Sequence, residues 1–242
     1  MNRQEAFLSR VRHALRRGAA PPTHSESIQP PPIPQALQPQ APAGTDALIQ
    51  QLQTELTAVG GQVIRFSSPT AVTAYIGTFT QERNIRKVIR WSSDLLTQLE
   101  IDATLEQNGI EIHVPPVPNT TASPEDRQAM RQHVAQADLG ISGVTYAIAE
   151  TGTLALAAHA GQMRGISLLP PVHIAIVRAD QLVATMADCL LRLQAAGSDL
   201  QHNLTSCISF ITGPSRTGDI ELNLTVGVHG PGELHLIILD ST

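Results

Sequence analysis

The residues best suited to chemistry gather near the end of the chain, in "ITGPSRTGDIELNLTVGVHGPGELH" from Ile211 to His235. Gly213 and Pro214 break an apolar run, and Ser215 and Arg216 follow at once. If a helix starts there, backbone N–H groups, the Ser215 hydroxyl and the Arg216 guanidinium converge on one negative group. Gly213 permits the close approach such a ligand needs. The plainer alternative is ordinary capping, with Arg216 paired to Asp219 or Glu221. His229 stands between Gly227 and Gly230, with nothing bulky beside it. It is a candidate general base, or a hydrogen-bond partner for a carboxylate. His229 and His235 lack a third ligand at recognisable spacing, so no metal site is predicted.

Three further positions carry usable groups. Glu150 opens the turn Glu150-Thr151-Gly152, where a carboxylate can act as base or nucleophile, or simply hold the turn. Arg164 lies between Gly161 and Gly165 and can clamp a small organic anion, or be a surface arginine. His173 sits at a strand start after Pro170-Pro171, as a catalyst or a satisfied core histidine. The expected set is therefore Glu150 and His229 for proton handling. Arg164, His173, Gly213, Ser215, Arg216, Asp219 and Glu221 form the substrate-binding group.

The pattern around these residues predicts what holds them. Residues 46–59 form a helix ended by Gly60-Gly61. Residues 62–66 form a strand, and Ser68-Pro69 opens a helix to about Arg83. Residues 87–91 form a strand, Ser92 or Ser93 caps a helix through Leu99, and 110–114 form a third strand. Ser123-Pro124-Glu125-Asp126 starts a helix to about Ala137. Residues 146–149, 154–158 and 172–177 read as strands, 179–195 as a helix, 206–211 as a buried strand and 234–239 as the last strand. Strands alternating with helices predict an α/β fold, a mostly parallel open sheet with helices on both faces. Loops at the ends of such strands are where ligands sit.

Residues 1–17 read as an amphipathic helix ringed by Arg3, Arg10, Arg12, Arg16 and Arg17. It can pack on its own body, dock on another subunit or serve as a transit peptide. Residues 18–44 hold eight of the 17 prolines and read as an extended linker. The body, 45–242, carries 11 basic and 19 acidic residues, a net charge of -8 that can attract the basic helix.

Whole-chain composition sets limits. The net charge of -5 and 3% aromatic content argue against a nucleic-acid partner. Lys87 is the one lysine, so a P-loop is excluded. Cys189 and Cys207 are the only cysteines, and there is no C-x-x-C, so the chain cannot hold an iron–sulfur cluster by itself. Two scattered cysteines fit a cytoplasmic setting. No apolar stretch reaches the length of a membrane span.

The blocks "GISGVTYAIAETGTL" (140–154), "RGISLLPPVHIAIV" (164–177), "ITGPSRTGDIEL" and "GVHGPGELHLIIL" together resemble the LUD-domain family, in particular its lactate-utilization protein C branch. The likeness covers most of 45–242. Leu222 departs from it, standing where a glutamine is expected. The resemblance implies a fold related to CoA-transferases, ribose-5-phosphate isomerase and glucosamine-6-phosphate deaminase. It also implies a part in oxidising L-lactate to pyruvate, beside partner proteins that carry iron–sulfur clusters; no cofactor is expected in this chain.

Three functions remain open at this level. The chain is an accessory subunit of a lactate-oxidising complex that binds a small organic anion; or a stand-alone transferase or isomerase using Glu150; or a non-catalytic assembly protein. Self-association through the N-terminal helix is compatible with each.

Overall fold

A computed structural model describes residues 44–116, 123–198, 207–218 and 224–240. The predicted N-terminal helix, all but the end of the linker, and Asp219, Glu221 and Leu222 lie outside these residues. The elements run α1 (Thr45–Ala58), β1 (Gln62–Phe66), α2 (Pro69–Glu82), β2 (Lys87–Arg90), α3 (Asp94–Gln98), α4 (Ile101–Gln107), β3 (Glu111–His113) and α5 (Pro124–Gln136). Then follow β4 (Leu139–Gly143), β5 (Tyr146–Ile148), β6 (Thr153–Ala158), a 3₁₀ turn (Arg164–Ser167) and β7 (Val172–Arg178). The rest are a 3₁₀ turn (Ala179–Gln181), β8 (Leu182–Val183), α6 (Met186–Ser198), β9 (Cys207–Ile211), β10 (Arg216–Gly218), β11 (Leu224–Val226) and β12 (Glu233–Leu239).

Six strands make one sheet in the order β1-β12-β7-β4-β2-β3, every pair parallel. Its centre is apolar on both faces: Ile174, Ile176, Val177, Leu236, Ile237 and Ile238 are fully buried. That is the pattern of a parallel sheet covered on both sides. Register assigns the faces. Gly140, His173 and Leu234 are neighbours on one face. Ile141, Ile174 and His235 are neighbours on the other, where Phe79 of α2 meets His235 edge-on at 4.8 Å. The Gly140 face carries the 164–167 turn, and Val134 of α5 reaches that turn at Gly165. The α/β sheet with helices on both faces is thus as the sequence predicts.

Gly140 is what lets the turn lie so close. A Cβ there would stand 2.0 Å from the Ile166 carbonyl oxygen, a distance no side chain tolerates. Gly152 has a related duty in the β5–β6 hairpin, with φ +62° and its Cβ position 2.5 Å from the Leu56 backbone nitrogen.

A second sheet, β8-β5-β6-β9, and a β10–β11 hairpin complete the body. Capping fixes the helix starts. Ser68 accepts from Ala71 N–H at 3.3 Å with Pro69 behind it, and Ser123 and Asp126 form a capping box at α5.

Four elements differ from the sequence pattern. The strand at 207–211 is an edge strand rather than a buried one: Ile208 and Phe210 are 37% and 42% exposed. Its alternation was masked by a solvent-facing isoleucine and phenylalanine. The helix expected over 179–195 starts later, at Met186, because Leu182 and Val183 pair in parallel with Ala147 and Ile148. Thr185 and Asp188 then cap it reciprocally, with Thr185 N–H donating to Asp188 Oδ2 and Asp188 N–H to Thr185 Oγ1. Helix α4 follows α3 after a single left-handed residue, Glu100 (φ 50°). Strand β4 has little apolar signature because Gly140 and Gly143 dilute it.

Candidate functional site

The loops that the sequence singles out meet at a cavity of about 250 Å³. It lies beside the first residues of β7 and β12, between the Gly140 face of the main sheet and strand β9. Open parallel sheets commonly hold ligands at the carboxyl ends of their strands. Here the cavity is at the amino ends, where the Pro171 carbonyl accepts from Gly232 N–H (2.9 Å) and joins the approaches to β7 and β12. The lining includes Ser167, His173, Thr212, Gly213, Ser215, His229 and Gly230.

The glycine-rich loops brace one another. Ser215 N–H donates to the Pro231 carbonyl at 2.8 Å, and Gly227 N–H to the Ser215 carbonyl at 2.9 Å. Gly230 packs so tightly on Ser215 that a Cβ would sit 3.1 Å from the serine Cβ. Gly213 takes φ +84°, where a Cβ would press on Val59 at 2.9 Å. Thr212 is anchored below by hydroxyl contacts: Thr212 Oγ1 to Thr153 Oγ1 is 2.7 Å, and Thr151 Oγ1 donates to Thr153 Oγ1 at 2.8 Å.

His173 forms the floor. It is 1% exposed, and its Nε2 lies 2.8 Å from Oγ of the fully buried Ser142. Burial first, and the nearby His235 second, hold its pKa down to about 3, so the ring is neutral at ordinary pH. Its Nδ1 is buried and meets no partner. Such an orphaned nitrogen is costly unless something else occupies it. His235 also has an orphaned Nδ1, but it lies on the other face, with Nε2 3.3 Å from Glu233 Oε2. Burial lowers its pKa against the opposing pull of Glu233.

Residues 49–239 match the LUD domain, most of the chain. The chain belongs to the LUD-domain family. It is 30% identical to lactate utilization protein C of Halalkalibacterium halodurans, over 99% of both chains. It is 27% identical to an uncharacterized electron transport protein of Escherichia coli, over 81% of this chain and 48% of that one. A DUF162 family protein from Deinococcus radiodurans, 22% identical, shares the fold with a TM-score of 0.57 over 82% of this chain and 99% of that one. No helix among the described residues is long and apolar enough to cross a membrane.

Within the LUD domain the sequence-predicted residues separate. His173, Gly213, Ser215 and His229 come together at the cavity. Glu150 does not line it: it is exposed, and its Oε2 accepts from Met186 N–H at 3.4 Å at the start of α6. Arg164 is exposed at the start of its 3₁₀ turn, also away from the lining. Arg216 points elsewhere, donating through Nη2 to the Val59 carbonyl at 2.6 Å. The helix start imagined at Ser215-Arg216 is strand β10, so no bundle of N–H groups opens there. Asp219 and Glu221 are outside the described residues. Sequence reasoning missed Ser142 and Thr212. Ser142 sits in the unannounced strand β4, two residues from Gly140 on the face that carries His173. Thr212 is hidden as the residue before the glycine.

Proposed function

We propose that this LUD-domain chain is a cytoplasmic component of an L-lactate utilization system and that its cavity binds a small hydroxy- or keto-acid. The full-length likeness to a protein named for lactate utilization supports the role. The observation that carries the ligand reading is that neutral His173, whose buried Nδ1 meets no partner, lines the cavity. A neutral imidazole fixed by Ser142 offers one directed hydrogen bond to a hydroxyl or carbonyl oxygen. Ser215 Oγ and the backbone of the Gly213 and Gly230 loops provide a small polar cradle. Among the described lining residues, His173 and His229 are the titratable ones, and only His229 is exposed enough to exchange a proton with solvent.

Converting lactate to pyruvate removes two electrons and two protons, so an acceptor is required. With two cysteines in the whole chain, iron–sulfur acceptors belong on partner proteins. The likeness to half of a longer protein named for electron transport supports a domain that works beside redox centres. The alternative of a stand-alone transferase would place its chemistry at Glu150, which is exposed beside the start of α6 and not at this cavity.

The test is thermal stability against L-lactate, pyruvate, acetyl-CoA, a nicotinamide dinucleotide and ribose 5-phosphate. A ligand at about 100 times its dissociation constant adds roughly 2.7 kcal/mol. Lactate or pyruvate should raise Tm, and His229→Ala and Ser215→Ala should remove the shift. A shift with acetyl-CoA or ribose 5-phosphate alone, or one untouched by both substitutions, would sink the organic-acid reading.

A further inference from the structure

At the far edge of the main sheet, away from the cavity, three potential ligands converge. Glu111 and His113 are two apart on edge strand β3, so they point to the same side. His133 comes from the last turn of α5. One ligand atom from each of the three lies within 4.8 Å of the others. His113 Nε2 is 2.8 Å from Glu111 Oε1. The His113 and His133 rings sit with centroids 3.7 Å apart, tilted by 34°.

A hydrogen bond explains Glu111 and His113 alone. It does not explain why a second imidazole from another element is brought against them. Two stacked imidazoles with a carboxylate at hand make a donor set of two nitrogens and one oxygen, the borderline chemistry that zinc, cobalt(II) and nickel(II) favour. Tetrahedral bonds of about 2.1 Å put ligand atoms about 3.4 Å apart. The present distances, from 2.8 Å to at most 4.8 Å, bracket that value. Lys87 stands behind the carboxylate, its Nζ 3.8 Å from Glu111 Oε2 and donating to Gln136 Oε1 at 3.2 Å. Its charge lies beside the far carboxylate oxygen, while Oε1, which meets His113 Nε2, is on the side of the imidazoles.

We propose that Glu111, His113 and His133 bind a divalent transition metal of the zinc class, with water in the fourth position, tying strand β3 to α5. A three-residue edge strand has few contacts of its own, and a metal clip across to a helix is a direct way to hold it. The chain spacing hides this site: one Glu-x-His pair and a histidine 20 residues on match no familiar metal motif.

The experiment is cobalt(II) titration of the untagged full-length protein, read by visible d–d absorption, with zinc as competitor and Tm as a second readout. Expected are saturating bands with one metal per chain, displacement by zinc, and a Tm rise of several degrees that magnesium does not produce. His133→Gln, its fold checked by circular dichroism, and Glu111→Gln should each abolish the bands or weaken binding at least tenfold. Absent bands, or bands unchanged in folded His133→Gln, would overturn the site. Bands lost in His229→Ala instead would place the metal at the cavity and overturn it equally.

Discussion

Oγ of Ser142 and Nε2 of His173 lie 2.8 Å apart inside the sheet, both fully shielded from water, while Nδ1 of the same imidazole meets no partner. Neighbouring parallel strands β4 and β7 place the two side chains on one face, two residues apart in register. The pair therefore fixes a neutral ring at the cavity floor with one nitrogen committed and one without a partner.

The neutral ring has a pH signature. Above about pH 6.5 the histidine is uncharged in both the folded and the unfolded chain, and stability does not depend on it. As pH falls from 6.5 towards 3, the unfolded chain takes up a proton that the folded chain refuses. Stability then drops by about 1.4 kcal/mol per pH unit from this group alone. His235 acts in the same direction. His173→Gln, which can still bond Ser142 but does not titrate, should flatten the pH dependence of urea-unfolding free energy between about pH 6.5 and 4. A slope equal to the parent's would mean that the ring is not held neutral.

Gly140→Ala should be among the most damaging single-methyl additions in the chain. The new Cβ would meet the Ile166 carbonyl oxygen at 2.0 Å, and backbone cannot swing aside as a flexible side chain does. Overpacking of this kind costs about 1–3 kcal/mol or more. Gly109 is the comparison: its Cβ position meets nothing within 4 Å, so there Ala is penalised only by the positive φ of +73°. Guanidinium unfolding of the two variants should rank Gly140→Ala as the less stable.

The ion pair between buried Arg90 and the more open Asp102 should respond asymmetrically. Arg90 is 6% exposed; it donates through Nε to Asp102 Oδ1 at 2.7 Å and through Nη1 to the Trp91 carbonyl at 2.9 Å. Asp102 is more open to water. Asp102→Ala strands a buried cation and should cost no more than about 3 kcal/mol, the lower end for a fully buried pair, because water reaches the Asp102 side. Arg90→Met leaves a carboxylate that water can reach and should cost less. Equal losses in chemical denaturation would contradict the difference in burial.

What could be read from the residues was the repeating skeleton. Ser68-Pro69, Ser123-Pro124 and Gly60-Gly61 are local signals, so helix limits and the parallel sheet followed from neighbours in sequence. The convergence of His173, Ser215 and His229 depends on long-range pairing, β7 with β12 and β9 with β6, which no local pattern encodes. Arg216 and Glu150 lie apart from that cavity: one contacts the carboxyl end of α1 and the other the first turn of α6, and those contacts too are long-range. Ser142 was hidden because its strand contains two glycines. The Glu111, His113 and His133 cluster was hidden because its members come from a strand and a helix.

The arginine provides the sharpest contrast with the cavity. Arg216 Nη2 holds the Val59 carbonyl at 2.6 Å, and Gly60 makes room for it, since a Cβ at Gly60 would fall 2.5 Å from that nitrogen. This is a side chain closing the carboxyl end of α1, where cations are favoured by unsatisfied carbonyls. Arg216→Ala should therefore cost about 1 kcal/mol of stability, modest because the group is exposed. It should leave the Tm increment produced by lactate or pyruvate unchanged. His229→Ala should do the reverse, with little loss of stability and loss of the ligand increment, because His229 is exposed and lines the cavity. Thermal shift of both variants with and without ligand separates the two roles. If Arg216→Ala removes the increment while His229→Ala keeps it, the guanidinium turns from Val59 to the ligand on binding, and the anion is held at the α1 end rather than over His173.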